Sequence, residues 1–140
     1  AELNRASKRE GCVERMALIL CRYDPSNGSL RWSGAGHQPV LVRQRDGTVH
    51  SLDALAPVIG VGDEFNAAEQ DLRIGPGDQV LFASEACVTA AKRESLPSLF
   101  ARLGGSAHSA SAVAARLIEH LERQSLTEIE EGTLLLLRKG

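Results

Sequence analysis

The step Asp46–Gly47, inside "VLVRQRDGTVHSL" (residues 40–52), constrains this chain more than any other feature. Glycine reaches positive φ without a Cβ clash, so Asp-Gly between two β-rich runs is a hairpin signal. Val40 and Val42 alternate with Leu41 and Arg43 before the step, and "TVHSL" returns after it as the partner strand. Upstream, "MALILCRYD" reads as a strand, "PSNG" as a turn ending at Gly28, and "SLRWSGAG" as a strand with Leu30 and Trp32 on one face. These pieces predict a meander of antiparallel strands. A second hairpin is predicted where "AAEQDLRI" and "DQVLFAS" flank "GPGD" (residues 75–78).

The C-terminal third changes period. "ACVTAAKRE" and "LPSLFARL" read as short helices, the second with Pro97 in its first turn. "SASAVAARLIEHLERQ" is a longer one, capped by Ser109 or Ser111, with Val113, Leu117 and Leu121 along one face. Thr133–Leu137 is apolar on both alternating faces, which predicts a central strand covered on both sides. The first ten residues read as the end of a helix. The class is α+β, an antiparallel β-sandwich flanked by helices, in one domain over residues 1–140.

Composition sets the function classes that are excluded. The net charge is -2, and the clusters Lys92–Arg93 and Arg5, Lys8, Arg9 are short, so neither nucleic acid nor an anionic membrane is expected as a partner. Cys12, Cys21 and Cys87 contain no CxxC pair, and Cys21 sits in an apolar run as a small buried hydrophobe. A reducing, cytoplasmic setting is the default for such cysteine usage. The sequence carries no GxSxG elbow and no GxxxxGK[ST] loop.

Four groups of polar residues have the chemistry of a site. His37 stands at the strand corner "AGHQP", where imidazole can ligate, act as a base or satisfy backbone groups; His50, His108 and His120 are isolated. Glu85 follows the strand "QVLFAS", and Glu130 and Glu131 precede the last strand. Were those two strands neighbours, the acids would reach one sheet edge, and clustered carboxylates bind hard cations such as Mg²⁺ or Mn²⁺. Asp78 is read as the local cap of the "GPGD" turn.

In order, "CRYDPSNGSLRWSGAGHQPVLVRQRDGTVHSL", "LAPVIGVGDEF", "LRIGPGDQVLFASEACVTAA" and "EEGTLLLLRKG" resemble the metal-dependent PPM-type serine/threonine protein phosphatases, in their bacterial SpoIIE/RsbU branch. That family carries an AGH-x-P corner, an L-x-PGD hairpin, a TDG-type turn and a closing DDIT-like strand. The resemblance implies hydrolysis of phosphoserine or phosphothreonine by a two-metal Mn²⁺ or Mg²⁺ centre. It places Glu85 at the acid of the TDG-type turn and Glu130 at the first acid of the DDIT-like strand, as the metal positions. Both are glutamates where the family has aspartates, and Ala86 replaces its glycine. The family's D-x-x-GHG-like segment has no counterpart, so the sequence is expected to begin after it.

The expectation is therefore a pseudophosphatase: a regulator that binds a phosphorylated or unphosphorylated anti-sigma-factor antagonist, with Mn or Mg weakly held or no cofactor at all. A homodimer is left open. The alternative is an active enzyme whose metal site is completed by a segment absent from this chain. A third reading, a small cupin-like binding module, would be favoured were "TLLLL" not to lie beside "QVLFAS".

Overall fold

The computed structural model describes residues 16–36, 39–52, 56–60, 68–125 and 132–140. In chain order its elements are β1 (Leu18–Asp24), β2 (Ser29–Ala35), β3 (Val40–Arg43), β4 (Val49–Leu52), β5 (Gln70–Arg73) and β6 (Gln79–Ala83), then α1 (Glu85–Ala90), α2 (Leu96–Leu103), α3 (Ala110–Gln124) and β7 (Leu134–Arg138). They fall in two compact units, residues 1–38 with 53–73, and residues 39–52 with 74–140.

The first unit holds a three-stranded antiparallel sheet in the order β1-β2-β5. Its β1–β2 hairpin closes through Asp24, whose carboxylate accepts the Ser26 N–H at 2.9 Å and the Ser26 hydroxyl at 2.6 Å. Gly28 completes that turn at φ 70°. Along β2 the strand period separates faces: Leu30 and Trp32 are buried, while Arg31 points out and bonds Asp71 of β5 at 2.9 Å.

The second unit holds a four-stranded antiparallel sheet in the order β4-β3-β6-β7. The Asp-Gly hairpin forms as read: Gly47 takes φ 96°, the Asp46 carboxylate accepts the Thr48 N–H at 2.8 Å, and β3 pairs β4 from Val40↔Leu52 to Arg43↔Val49. All five residues of β6 are buried, which fits an inner strand apolar on both faces. The helices cover one face. Leu41, Leu81 and Ala83 from the sheet share a core with Leu96, Leu99 and Phe100 of α2 and Val113, Leu117 and Leu121 of α3. Ser95 and Ser109 cap these two helices by accepting the Ser98 and Ala112 N–H groups, and Pro97 sits in the first turn of α2.

Four expectations change. The strands do not run as one meander, because β2 and β3 belong to different sheets. The second hairpin is absent: β5 pairs β2, while β6 pairs β3 and β7. The turn at Gly75–Asp78 explains the separation. Asp78 accepts the Gly75 N–H at 2.8 Å and the Arg45 N–H at 2.9 Å, and Gly77 donates to the Lys139 carbonyl at 3.0 Å. The turn is thus fastened to the β3–β4 loop and the end of β7, which sets β6 between β3 and β7. Third, β7 is an outer strand of its sheet among the described residues, with Leu135 57% exposed, rather than a central strand covered on both sides. Fourth, Cys21 is exposed, on an outer strand of a three-stranded sheet, rather than buried. The helical reading of the first ten residues lies outside the described residues.

Candidate functional site

The two acid-bearing segments meet where β6 ends and β7 begins. These strands are antiparallel neighbours, with Ala83 opposite Leu134. "TLLLL" therefore lies beside "QVLFAS", so the arrangement that would have favoured the cupin-like reading is not the one found.

One residue past the ladder, Ser84 continues the pairing with its side chain. The Ser84 N–H donates to the Thr133 carbonyl at 3.0 Å, and the Thr133 N–H donates back to Ser84 Oγ at 3.0 Å. A strand residue would offer its carbonyl there. The Ser84 carbonyl instead accepts the N–H groups of Cys87 and Val88, at 3.1 and 3.3 Å, and so opens α1. This explains why Ser84, the N-cap residue, makes no side-chain cap bond: its hydroxyl is committed to Thr133. Cys87 closes the ring. The buried Sγ accepts from Ser84 Oγ and donates to the Thr133 carbonyl, both at 3.6 Å.

Glu85 follows this clamp as the first residue of α1, with an exposed side chain in the helix's first turn. Its charge suits the positive end of the helix dipole. Ala86 lies inside the helix, and no non-glycine residue among those described has positive φ, so alanine replaces glycine without backbone strain. Glu130 and Glu131 lie outside the described residues, as do His37 and Gln38. At the "AGHQP" corner Gly36 is described: it takes φ 95°, donates to the Ala56 carbonyl at 3.0 Å, and has Ala17 Cβ only 2.8 Å from where a Cβ of its own would stand. Asp78 caps its own turn, as the sequence predicts. Sequence reasoning names Glu85 but misses Ser84, Cys87 and Thr133. The signal was present, since a Ser or Thr just past each strand end is a residue that can bond backbone across the gap.

A two-metal centre needs several oxygen or nitrogen donors converging on one place. Among the described residues no three His, Cys, Asp or Glu side chains are grouped closely enough to hold a metal ion. The described donors alone do not make up such a centre, and Glu130, Glu131 and His37 lie outside the described residues. None of the described helices is long and apolar enough to cross a membrane.

Comparison with known proteins matches this arrangement. The phosphatase domain of SpoIIE from Bacillus subtilis superposes with a TM-score of 0.68 at 18% identity, covering 97% of this chain and 64% of that one. A manganese-presoaked form of the same domain gives 0.67 at 22% identity, over 88% and 56%. The SiaA-PP2C domain of Pseudomonas aeruginosa gives 0.71 at 17%, over 96% and 57%. At these identities the likeness establishes the fold: α+β, with antiparallel sheets and flanking helices. By sequence, Protein IcfG of Synechocystis sp. is 31% identical over 64 residues, which is 46% of this chain and 10% of that protein. The chain spans under two thirds of the length of each of these relatives. The family model for Stage II sporulation protein E (SpoIIE) matches residues 1–138, and with nearly every residue covered the chain belongs to the SpoIIE family of PPM-type phosphatase domains.

Proposed function

We propose that residues 1–140 are one SpoIIE/RsbU-type phosphatase domain that works as a pseudophosphatase, a cytoplasmic signalling regulator acting by protein binding. Its partner in this reading is a regulatory protein of the anti-sigma-factor-antagonist kind, phosphorylated or not. Mn²⁺ or Mg²⁺ is bound weakly, if at all, at Glu85 and Glu130.

The observation that carries the reading is the clamp beneath Glu85. Glutamate places its carboxylate farther from the backbone than aspartate by one methylene, about 1–1.5 Å. Mg²⁺ tolerates little of that, since it takes near-octahedral ligands at roughly 2.0–2.1 Å. Backbone retreat would absorb the difference, but Ser84 is bonded on both sides to Thr133 and its carbonyl is held by α1. Withdrawing the backbone to suit the longer side chain would therefore break these bonds, at roughly 0.5–1.5 kcal/mol each. The retained negative charge supports weak cation binding in place of a formed centre.

The test is hydrolysis of a phosphoserine peptide by the purified protein with Mn²⁺. No turnover above buffer is expected, with binding of the peptide unchanged by chelator. Mn²⁺-dependent turnover that Glu85→Ala abolishes would overturn the reading in favour of an active serine phosphatase.

A further inference from the structure

We propose that the turn between α2 and α3 presents an arginine cluster that binds a carboxylate-rich segment of a partner protein. The surface lies at the opposite end of the four-stranded sheet from Glu85, so the inference does not rest on the metal-site reading. Between Gln79 and Ser84 the strand advances five residues, about 17 Å at roughly 3.4 Å each.

Arg43, Gln79 and Arg138 occupy one cross-strand row, since Arg43 pairs with Gln79 and Gln79 with Arg138. Directly opposed residues project from the same face, here the one carrying the helices. All three reach the last turn of α2 or the backbone that follows it. Arg43 Nε donates to the Ala101 carbonyl at 3.1 Å, Gln79 Nε2 to the Gly104 carbonyl at 2.7 Å, and Arg138 Nη1 to the Ala107 carbonyl at 2.7 Å. From α3, Arg116 Nη1 donates to the neighbouring Ser106 carbonyl at 2.7 Å. Three guanidinium groups are thereby held by rigid backbone acceptors along a seven-residue stretch, 101–107.

Carbonyls at the C-terminal end of α2 and just beyond it offset their charge only in part. Arg31, Arg102 and Arg123 each pair with a carboxylate, whereas none of the described carboxylates lies within ion-pair distance of Arg43, Arg116 or Arg138. Asp46 feels Arg43 only as a minor long-range influence. Each guanidinium has five N–H donors and one is bonded to this backbone; Arg116 is exposed and Arg43 and Arg138 are half-buried, and a guanidinium's remaining donors have the fork geometry that matches carboxylates. Holding the side chains in place beforehand lowers the entropy cost of binding. A strand of nucleic acid is the poorer fit. The chain is net negative, and Phe82 and Phe100, the described phenyl rings of this unit, are buried.

The probe is a fluorescein-labelled octaglutamate peptide, followed by fluorescence anisotropy against the whole chain at low salt. Saturable binding that weakens as salt rises is expected. Arg116→Gln and Arg138→Gln should each weaken it about ten-fold, the loss of one charge-assisted contact. Arg116 is exposed, so its variant tests the cluster even where Arg138→Gln fails to fold. Arg73→Gln, an exposed arginine of the other unit, should leave binding unchanged. The proposal is overturned by no binding to the wild-type chain, by unchanged binding to folded Arg116→Gln, or by a single-stranded DNA oligonucleotide binding as tightly as the peptide.

Discussion

Ser84 carries more structure than its size suggests. Its hydroxyl accepts the Thr133 N–H and donates to Cys87 Sγ, so Ser84→Ala removes both of those bonds and keeps the backbone bond from the Ser84 N–H to the Thr133 carbonyl. The expected loss is about 0.5–1.5 kcal/mol, the net worth of one hydrogen bond, because Thr133 is exposed and water can replace the partner. Urea unfolding measures it, and Ser84→Thr, which keeps the hydroxyl, should recover most of it. Gln79 is a costlier position. It is 1% exposed, its Nε2 holds the Gly104 carbonyl, and its Oε1 has no partner among the described residues. The unpaired oxygen already reduces stability, which makes the amide's one good bond matter more. Gln79→Ala strands the Gly104 carbonyl and opens a void in the packed row, for an expected loss of about 1–3 kcal/mol by the same measurement. Gly36→Ala should be at least as harmful, since the new methyl meets Ala17 Cβ at 2.8 Å and the φ of 95° disfavours any side chain.

Among the elements, α3 was the most legible in the sequence and is the most testable. Its buried stripe, Val113, Leu117 and Leu121, follows the i, i+4, i+8 spacing, and Ser109 caps it. Ser109→Ala should cost about 1 kcal/mol, while Ser111→Ala should cost little, because Ser111 supplies no cap bond. Leu117 is fully buried against the sheet and α2, so Leu117→Ala should cost about 2–5 kcal/mol through lost burial and the cavity left behind. Thermal or urea melts of the two serine variants side by side decide which serine is the cap. The strands were read less well. Turn chemistry at Asp24–Gly28 and Asp46–Gly47 identifies each hairpin locally, and both form. At Gly75–Asp78 the same kind of turn joins strands of different sheets. The turn residues of such a segment specify a reversal of the chain; which strand then lies alongside depends on contacts from Arg45 and Lys139, far away in sequence.

For the whole molecule, three carboxylates, the exposed Asp24 and Asp46 and the half-buried Glu94, contribute to stability on the acid side. The Ser26 hydroxyl and then its N–H hold Asp24 below its usual range, the Thr48 N–H does so for Asp46, and the Arg102 guanidinium does so for Glu94. A carboxylate whose pKa is lower in the folded chain contributes stability that is present above the unfolded value, about 3.9–4.3, and lost as pH falls through the folded one. Urea midpoints should therefore stay level near neutrality and drop below about pH 4. Glu94→Gln should make that drop shallower; an acid limb identical to wild type would show that Glu94 takes no part in it.

The amino-acid sequence by itself determined the α+β class, two of the hairpins, the three helices and the family, because alternation, capping residues and Gly-containing turns act over a few neighbouring positions. It also marked Glu85 as an acid at a strand end. Only the tertiary structure decided that β5 and β6 part into separate sheets, that β7 stands at an edge of its sheet among the described residues, and that Cys21 is exposed. The same holds for the clamp of Ser84, Cys87 and Thr133, and for the three arginines gathered on the α2–α3 turn. Most of these contacts join residues 31 to 58 positions apart, and Arg116 reaches Ser106 across 10. Contacts of that range are set by which surfaces must be buried together, a condition of the packed whole that no short stretch of sequence contains.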